Sequence, residues 1–215
     1  MEMPSPPRSL VDAGCYHVIA RGNNRQPVFV CDEAFTYFLN QLRALKAKYP
    51  AKLYHYCLMT NHIHLLMQID TGLHLPKLMQ ELLKAYSLWF QHRVPYTGHL
   101  WQARFKSPLI ADESYFLEVG RYIERNPVRA GIVRLPEEYP WSSYRRYALG
   151  MPNDLVDTDP YYDRIGSTPD RRRMAYRSFL RTEGPYDEWL DRTLVEPRAA
   201  TRANNGAAPA NLLLR

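Results

Sequence analysis

Two histidines, His62 and His64, lie two residues apart in the run Thr60-Asn61-His62-Ile63-His64-Leu65-Leu66-Met67. The run is apolar and β-prone. On a strand successive side chains alternate between faces, so both imidazoles project one way while Ile63 and Leu65 project the other. Such a pair, backed by buried aliphatics, is half of a metal site. The same spacing also fits half-exposed strand histidines with no chemistry, so a third ligand and a reactive group must decide. Tyr122-Ile123-Glu124-Arg125-Asn126 supplies candidates for both. At about 100° per residue, Tyr122 and Asn126 share one face of a helix, one turn apart. An asparagine carbonyl oxygen is a neutral, weak, hard ligand. With two neutral imidazoles it leaves positions open for a hard divalent cation such as Mg²⁺ or Mn²⁺. A tyrosine one turn away then stands beside the oxygen that the metal polarises. Singly, Asn126 reads as a helix C-terminal residue before Pro127, and Tyr122 as a core aromatic. Their joint occurrence with the histidine pair favours chemistry.

The elements that must position these groups follow from patterning. Cys15 to Arg21 alternates as a first strand and ends at the turn Gly22-Asn23-Asn24, before a short extended piece at 27–30. Asp32 opens a helix with Phe35, Phe38, Leu39, Leu42 and Leu45 at helical spacing, stopped by Tyr49-Pro50. Strands from Lys52 to Met59 and from His62 to Ile69 form a hairpin about Thr60-Asn61. A second amphipathic helix runs from Leu75 to about Arg93, with Leu78, Leu82, Leu83, Tyr86 and Phe90 on its stripe. His99 to Ile110 reads as a fourth strand. A third helix, capped by Asp112-Glu113-Ser114, is expected to run from Tyr115 to about Arg125 and to end at Asn126-Pro127. The order predicts an α+β fold, the ferredoxin-like β-α-β-β-α-β arrangement of a four-stranded antiparallel sheet. Thr168-Pro169-Asp170 is a helix start, and the helix it opens carries Arg171, Arg172, Arg173, Arg177 and Arg181. A short amphipathic piece follows near Trp189, Leu190 and Leu194.

With 215 residues, 46% hydrophobic and 13% aromatic, the composition is that of a globular protein with length for one well-cored domain and an appendage. No run of about 18 apolar residues spans a membrane, and Met1 to Arg8 lacks the apolar core of a signal peptide, so the expected location is the cytoplasm. Cys15, Cys31 and Cys57 are odd in number and widely spaced, which argues against a disulfide framework or zinc cluster and leaves them as buried thiols. A net charge of +6 favours a polyanionic partner.

The chain resembles the IS200/IS605-type tyrosine transposases, the Y1 group of HUH nucleases, and especially their REP-associated branch. The resemblance rests on Tyr16-His-Val-Ile-Ala-Arg-Gly-Asn23, Asn61-His-Ile-His-Leu-Leu66, Leu100-Trp-Gln-Ala-Arg-Phe105 and Tyr122-Ile-Glu-Arg-Asn-Pro-Val128, in family order. It implies His62, His64 and Asn126 as metal ligands and Tyr122 as nucleophile. Asparagine as the helix ligand is the REP-associated habit, glutamine the commoner one; Thr60 replaces a frequent proline at the turn. Tyr115 is the rival nucleophile, but its i+4 partner Val119 cannot bind a metal. The expected organisation is an irregular leader at 1–14, the Y1/HUH domain with its catalytic helix at 15–147, a basic helical extension at 148–198 and a disordered tail at 199–215.

The implied activity is cleavage and rejoining of single-stranded DNA. The Tyr122 oxygen would attack phosphorus, leaving a 5′-phosphotyrosine and a free 3′-hydroxyl that can reverse the step without nucleotide hydrolysis. The implied partner is hairpin DNA of the repetitive extragenic palindrome type, with Arg21, Arg104, Lys106, Arg145 and Arg146 on phosphates and aromatics stacking on unpaired bases. IS200-type relatives dimerise and exchange the tyrosine helix, whereas the REP-associated branch is expected to be monomeric; a monomer is the expectation here. Three other readings compete: a binding-only descendant, a replication-initiator or relaxase nuclease, and a ferredoxin-like RNA-binding module with incidental histidines.

Overall fold

The computed structural model describes residues 10–184 and 187–191. The expected leader and tail therefore fall largely or wholly outside the described residues, as does Leu194. The chain divides into two compact units between Thr182 and Glu183.

The first unit is built on a hairpin and a third strand. β1 (Gly14–Arg21), β2 (Ala51–Met59) and β3 (His62–Ile69) form an antiparallel sheet in the order β1-β3-β2. Thr60-Asn61 is the two-residue turn that joins β2 to β3, as the sequence predicts. Alternation sends Tyr16, Val18, Ala20, Ile63, Leu65, Met67 and Ile69 to one face, where they join the main core. Two helices close that face: α1 (Asp32–Lys48) through Phe35, Phe38, Leu42 and Leu45, and α2 (His74–Gln91) through Leu75, Leu78, Leu82, Tyr86 and Phe90. Each such side chain contributes roughly 1.5–3 kcal/mol on burial, which is why the 3.6-residue pattern locates both helices so well.

The fourth strand requires a correction. Residues 101–110 do run antiparallel beside β1, where a ferredoxin-like fold places its last strand, but only through isolated bridges: Gly22 to Trp101, Ile19 to Lys106 and Tyr16 to Leu109. Pro108 has no amide hydrogen to give, and a bend at Gln102 to Arg104 interrupts the ladder. The fold is α+β with a three-stranded antiparallel sheet and an irregular fourth edge.

The other face of the sheet carries Cys15, His17, Ile19 and Arg21 from β1, His62 and His64 from β3, and His55 and Cys57 from β2. It is covered by α3 (Glu113–Arg129), whose N-cap Asp112 accepts from the Tyr115 amide. Here too the expectation is corrected: α3 does not end at Asn126-Pro127 but carries Pro127 inside its last turn. Proline costs the Ile123 carbonyl its intrahelical donor, a loss that matters least within a turn of the helix end. Asn126 is therefore a helical residue, and its one-turn relation to Tyr122 is real.

Beyond α3, Pro136–Glu138 forms a 3₁₀ turn, followed by α4 (Tyr144–Leu149), a second 3₁₀ turn at Tyr162–Ile165 and α5 (Pro169–Arg181). Thr168 caps α5 by accepting from the Arg171 amide. Tyr147, Leu155, Val156, Tyr176 and Leu180 pack into the same core cluster as the sheet, so the chain past residue 147 belongs to the first unit up to Thr182. In the second unit α6 (Asp187–Leu190) begins with Asp187 accepting from the Gly184 amide. Of the cysteines, Cys57 is buried, Cys15 half-buried and Cys31 exposed, so only one matches the expected buried thiols. Among the described residues no helix is long and apolar enough to cross a membrane.

Candidate active site

β1 and β3 pair so that Arg21 stands opposite His62 and Ile19 opposite His64. That register brings a third histidine, His17, onto the face of the pair. His17 Nε2 lies 2.9 Å from His64 Nδ1, and both rings are wholly buried. Burial pushes the His17 pKa down to about 3. Burial also holds His64 well below the ordinary imidazole value, helped by the like charges of His62, His17, Arg21 and Arg129. Both imidazoles are therefore neutral at physiological pH, the form that donates a lone pair to a metal. His62 is set by its turn: Asn61 Nδ2 donates to the Arg25 carbonyl, which presents Asn61 Oδ1 to His62 Nδ1 at 2.6 Å. An amide oxygen only accepts, so His62 Nδ1 is the donor, and in the neutral ring Nε2 is the nitrogen left to bind a metal. The His62 and His64 rings are nearly perpendicular, 4.8 Å apart.

α3 lowers Tyr122 onto this cluster. The phenol ring is perpendicular to His64 at 5.6 Å and edge-on to His17 at 6.0 Å, and it is fully buried. One turn on, Asn126 Nδ2 donates to the Tyr122 carbonyl at 2.8 Å. That bond fixes the amide plane and commits the donor end, leaving Oδ1 as the acceptor end. The Arg129 guanidinium lies over the Tyr122 ring at 5.2 Å, and Arg21 is close enough for its charge to interact with Tyr122.

The donor set suits a divalent cation. His64 Nε2 is a buried nitrogen without a hydrogen-bond partner, the His62 tautomer presents Nε2, and Asn126 offers a neutral oxygen. Among the described residues no group of three His, Cys, Asp or Glu side chains is placed to hold a metal. Any ion here would keep most of its charge, which suits binding of an anionic phosphate.

Of the predicted site residues, the structure brings His62, His64, Tyr122 and Arg21 together and sets Asn126 one turn beyond Tyr122 on α3. Arg104 is exposed and Lys106 half-buried, both on the irregular edge beside β1. Arg145 and Arg146 lie on α4 with their guanidiniums turned to the fold: Arg145 Nε donates to the Glu137 carbonyl, and Arg146 donates to the Asn153 carbonyl and Thr158 Oγ1. Sequence reasoning missed His17 and Arg129. Arg129 is seven residues after Tyr122, a helical spacing that could have found it; His17 needed the β1–β3 register, which no local pattern encodes.

It also missed a second buried constellation under the same helix. Glu124 accepts from His55 Nδ1 at 2.9 Å and Ser143 Oγ at 2.5 Å through one oxygen, and from the Tyr176 hydroxyl at 2.7 Å through the other. His55 Nε2 donates to Asp159 Oδ2 at 3.2 Å. Burial alone would push His55 down, but the hydrogen bonds and charges of Asp159 and Glu124 raise it to about 9. Gly120 makes the approach possible, because a Cβ there would lie 3.1 Å from the His55 ring. Four segments thus meet at one carboxylate that sits two residues from Tyr122 on α3, and Asp159 joins them through His55.

Comparison with known proteins agrees with this layout. Residues 11–126 match the family model described as Transposase IS200 like. A protein of Haemophilus influenzae named for the REP-associated tyrosine transposases is 27% identical over 156 residues, covering 65% of this chain and 84% of that one. The solved structure of a REP-associated tyrosine transposase bound to a REP hairpin superposes with a TM-score of 0.60 at 18% identity, over 73% of this chain and 93% of that chain, which is a likeness of fold. With the family model spanning more than half of its length, from before β1 to Asn126, this chain belongs to the IS200-like transposase family.

Proposed function

We propose that this transposase binds hairpin-forming single-stranded DNA of the REP type and cleaves and rejoins it through Tyr122, with His62, His64 and Asn126 holding Mg²⁺ or Mn²⁺. The observation that carries the reading is the seating of the Tyr122 ring on His64 and His17, with Asn126 in the next turn and the Arg129 and Arg21 charges beside it. The bound cation would supply Lewis-acid polarisation of a non-bridging phosphate oxygen.

The chain's own groups do the rest. His17 accepts from His64 Nδ1, which holds the His64 ring with Nε2 toward the site, as carboxylate and carbonyl partners do for other ligating histidines. Arg21 and Arg129 offset the negative charge of the phosphodiester and of the developing phenolate. The Tyr122 oxygen forms a bond to phosphorus, the bond from phosphorus to the 3′-oxygen breaks, and the proton lost by the phenol is matched by one gained at that 3′-oxygen. A phenol's ordinary pKa of about 10 makes this proton transfer the step that needs assistance. Because Tyr122 is fully buried, a strand reaches it only after its surroundings open. All of these groups come from one chain, so a monomer suffices. Arg104 and Lys106, on the edge beside β1, would meet the incoming backbone; Arg145 and Arg146 would contribute through the fold of α4. The protein acts where chromosomal DNA is, in the cytoplasm.

The test is incubation with end-labelled single-stranded hairpin DNA and Mn²⁺ or Mg²⁺, followed by a denaturing gel. A covalent protein–DNA adduct is expected with the native chain and none with Tyr122→Phe. His64→Ala is expected to abolish cleavage while sparing hairpin binding. An adduct that survives Tyr122→Phe overturns the nucleophile, and undiminished cleavage by His64→Ala overturns the metal ligands.

A further inference from the structure

Around α3 from the histidine face lies a cavity of about 130 Å³, lined by Arg125, Arg134, Arg177 and Arg181 together with Tyr144 and Glu137. A cavity needs only about 10–15 Å³ to hold a water, so this one has room for a tetrahedral oxyanion. Arg125 forms its floor and is 93% buried, being only 7% exposed. Buried arginines are nearly always paired with an anion, because an uncompensated guanidinium loses its hydration for nothing. The guanidinium of Arg125 donates to the Thr182 carbonyl, and Arg177 donates to the Ala148 carbonyl at 2.8 Å. Carbonyls fix the plane of a guanidinium without neutralising it. Among the described residues none of the four arginines forms an ion pair with a carboxylate, and the one acid lining the cavity, Glu137, lies close enough to Tyr144 to add to burial in raising its hydroxyl pKa. Arg177 and Arg181 stand four apart on α5, a like-charge spacing that destabilises a helix unless an anion lies between them. A solvated arginine face would explain Arg134 and Arg181, which are exposed, but not Arg125.

We infer that this cavity is an anion site that takes one backbone phosphate of the DNA strand, apart from the phosphate attacked by Tyr122. Forked guanidiniums match the paired oxygens of a phosphodiester. The position fits: Arg125 follows Tyr122 by three residues, about 4.5 Å along the helix axis and about 60° around it, so a strand crossing the tyrosine can continue into the pocket. The choice of DNA as the phosphate's source rests on the proposed function; the anion site itself does not.

Hairpin DNA with a single-stranded flank, titrated by fluorescence anisotropy at several salt concentrations, tests the inference. Arg134→Gln and Arg181→Gln, alone and together, are surface changes that leave the fold intact, which a thermal melt verifies. Each is expected to weaken binding several-fold, and the double variant is expected to flatten the slope of log affinity against log salt by about 0.7, the loss of one phosphate contact. Arg171→Gln, on the same helix outside the cavity, serves as the control and is expected to change neither. Inorganic phosphate, added at constant ionic strength, is expected to raise the melting midpoint of the native chain more than that of the double variant. Unchanged affinity and slope in the double variant overturn the DNA contact, and if phosphate still stabilises selectively, the site takes free phosphate instead. No selective stabilisation and no slope change overturn the site altogether. A normal slope effect without any covalent adduct would leave the pocket standing and remove the cleavage reading.

Discussion

Buried histidines lie in two places under one helix, on one face of one sheet, and they differ in charge. His17, His62 and His64 meet Tyr122; among the described residues no carboxylate offsets the burial of His17 and His64, which keeps both neutral. His55, equally buried on the neighbouring strand, is bracketed by Glu124 and Asp159 and holds its proton to about pH 9. Burial is the same, so the carboxylates decide. Neutral His64 keeps a lone pair for a cation; charged His55 is a strut that fixes α3, and with it Tyr122 and Asn126, over the sheet. A site that needs its nucleophile set to within about an ångström benefits from such a support.

The strongest way to break the contrast is to remove the acid of the strut. Glu124→Ala leaves a buried imidazolium facing one carboxylate and strips Ser143 and Tyr176 of their partner. It is expected to cost about 3–5 kcal/mol in urea unfolding. A loss under 1 kcal/mol would show that these segments do not depend on this carboxylate.

The next largest effect is with pH. The folded pKa of His55 is raised from 6.5 to about 9, so folded protein holds this proton more tightly than unfolded chain. The resulting stability, on the order of 3 kcal/mol, is complete below pH 6.5 and lost as pH rises through 9. Melting midpoints should fall over that window. Asp159→Asn removes one of the two supporting carboxylates, so the folded pKa should fall and the alkaline loss of stability should be complete at a lower pH. A midpoint flat from pH 6.5 to 9 in the native chain would contradict the charged state of His55.

The smallest effect tests the neutral set. His17→Phe keeps an aromatic ring and removes the hydrogen bond to His64 Nδ1. It is expected to weaken Mn²⁺ binding by about 10–100-fold in calorimetric titration while leaving the alkaline limb of stability unaltered. Equal metal affinity would make His17 a packing residue only.

Much of this was legible beforehand. The periodicity of 35-38-42-45 and 75-78-82-86 marks α1 and α2 because each stripe must be buried, and the alternation of 62 to 69 marks β3 and sends its two histidines to one face. Tyr122 and Asn126 are local too, four apart on a helix. Two predictions failed where local signals compete with packing. Pro127 is a sound stop signal, yet α3 passes through it, since its last turn is held by the Ala130 and Gly131 amides on the Asn126 and Val128 carbonyls. Residues 99–110 look like a strand, yet a bend and Pro108 let them bridge β1 only intermittently.

The sequence alone determined which groups could do chemistry: a histidine pair on a strand, and a tyrosine and an asparagine on one helical face, because these relations span only a few residues and follow from helix and strand geometry. Only the tertiary structure decided what surrounds them. His17 joins the pair through strand register, Arg129 and Arg21 flank the phenol through the seating of α3, and His55 finds Glu124 and Asp159 across separations of 69 and 104 residues. Charge state depends on neighbours in space, so the sequence could name the histidines but could not say which of them would be neutral.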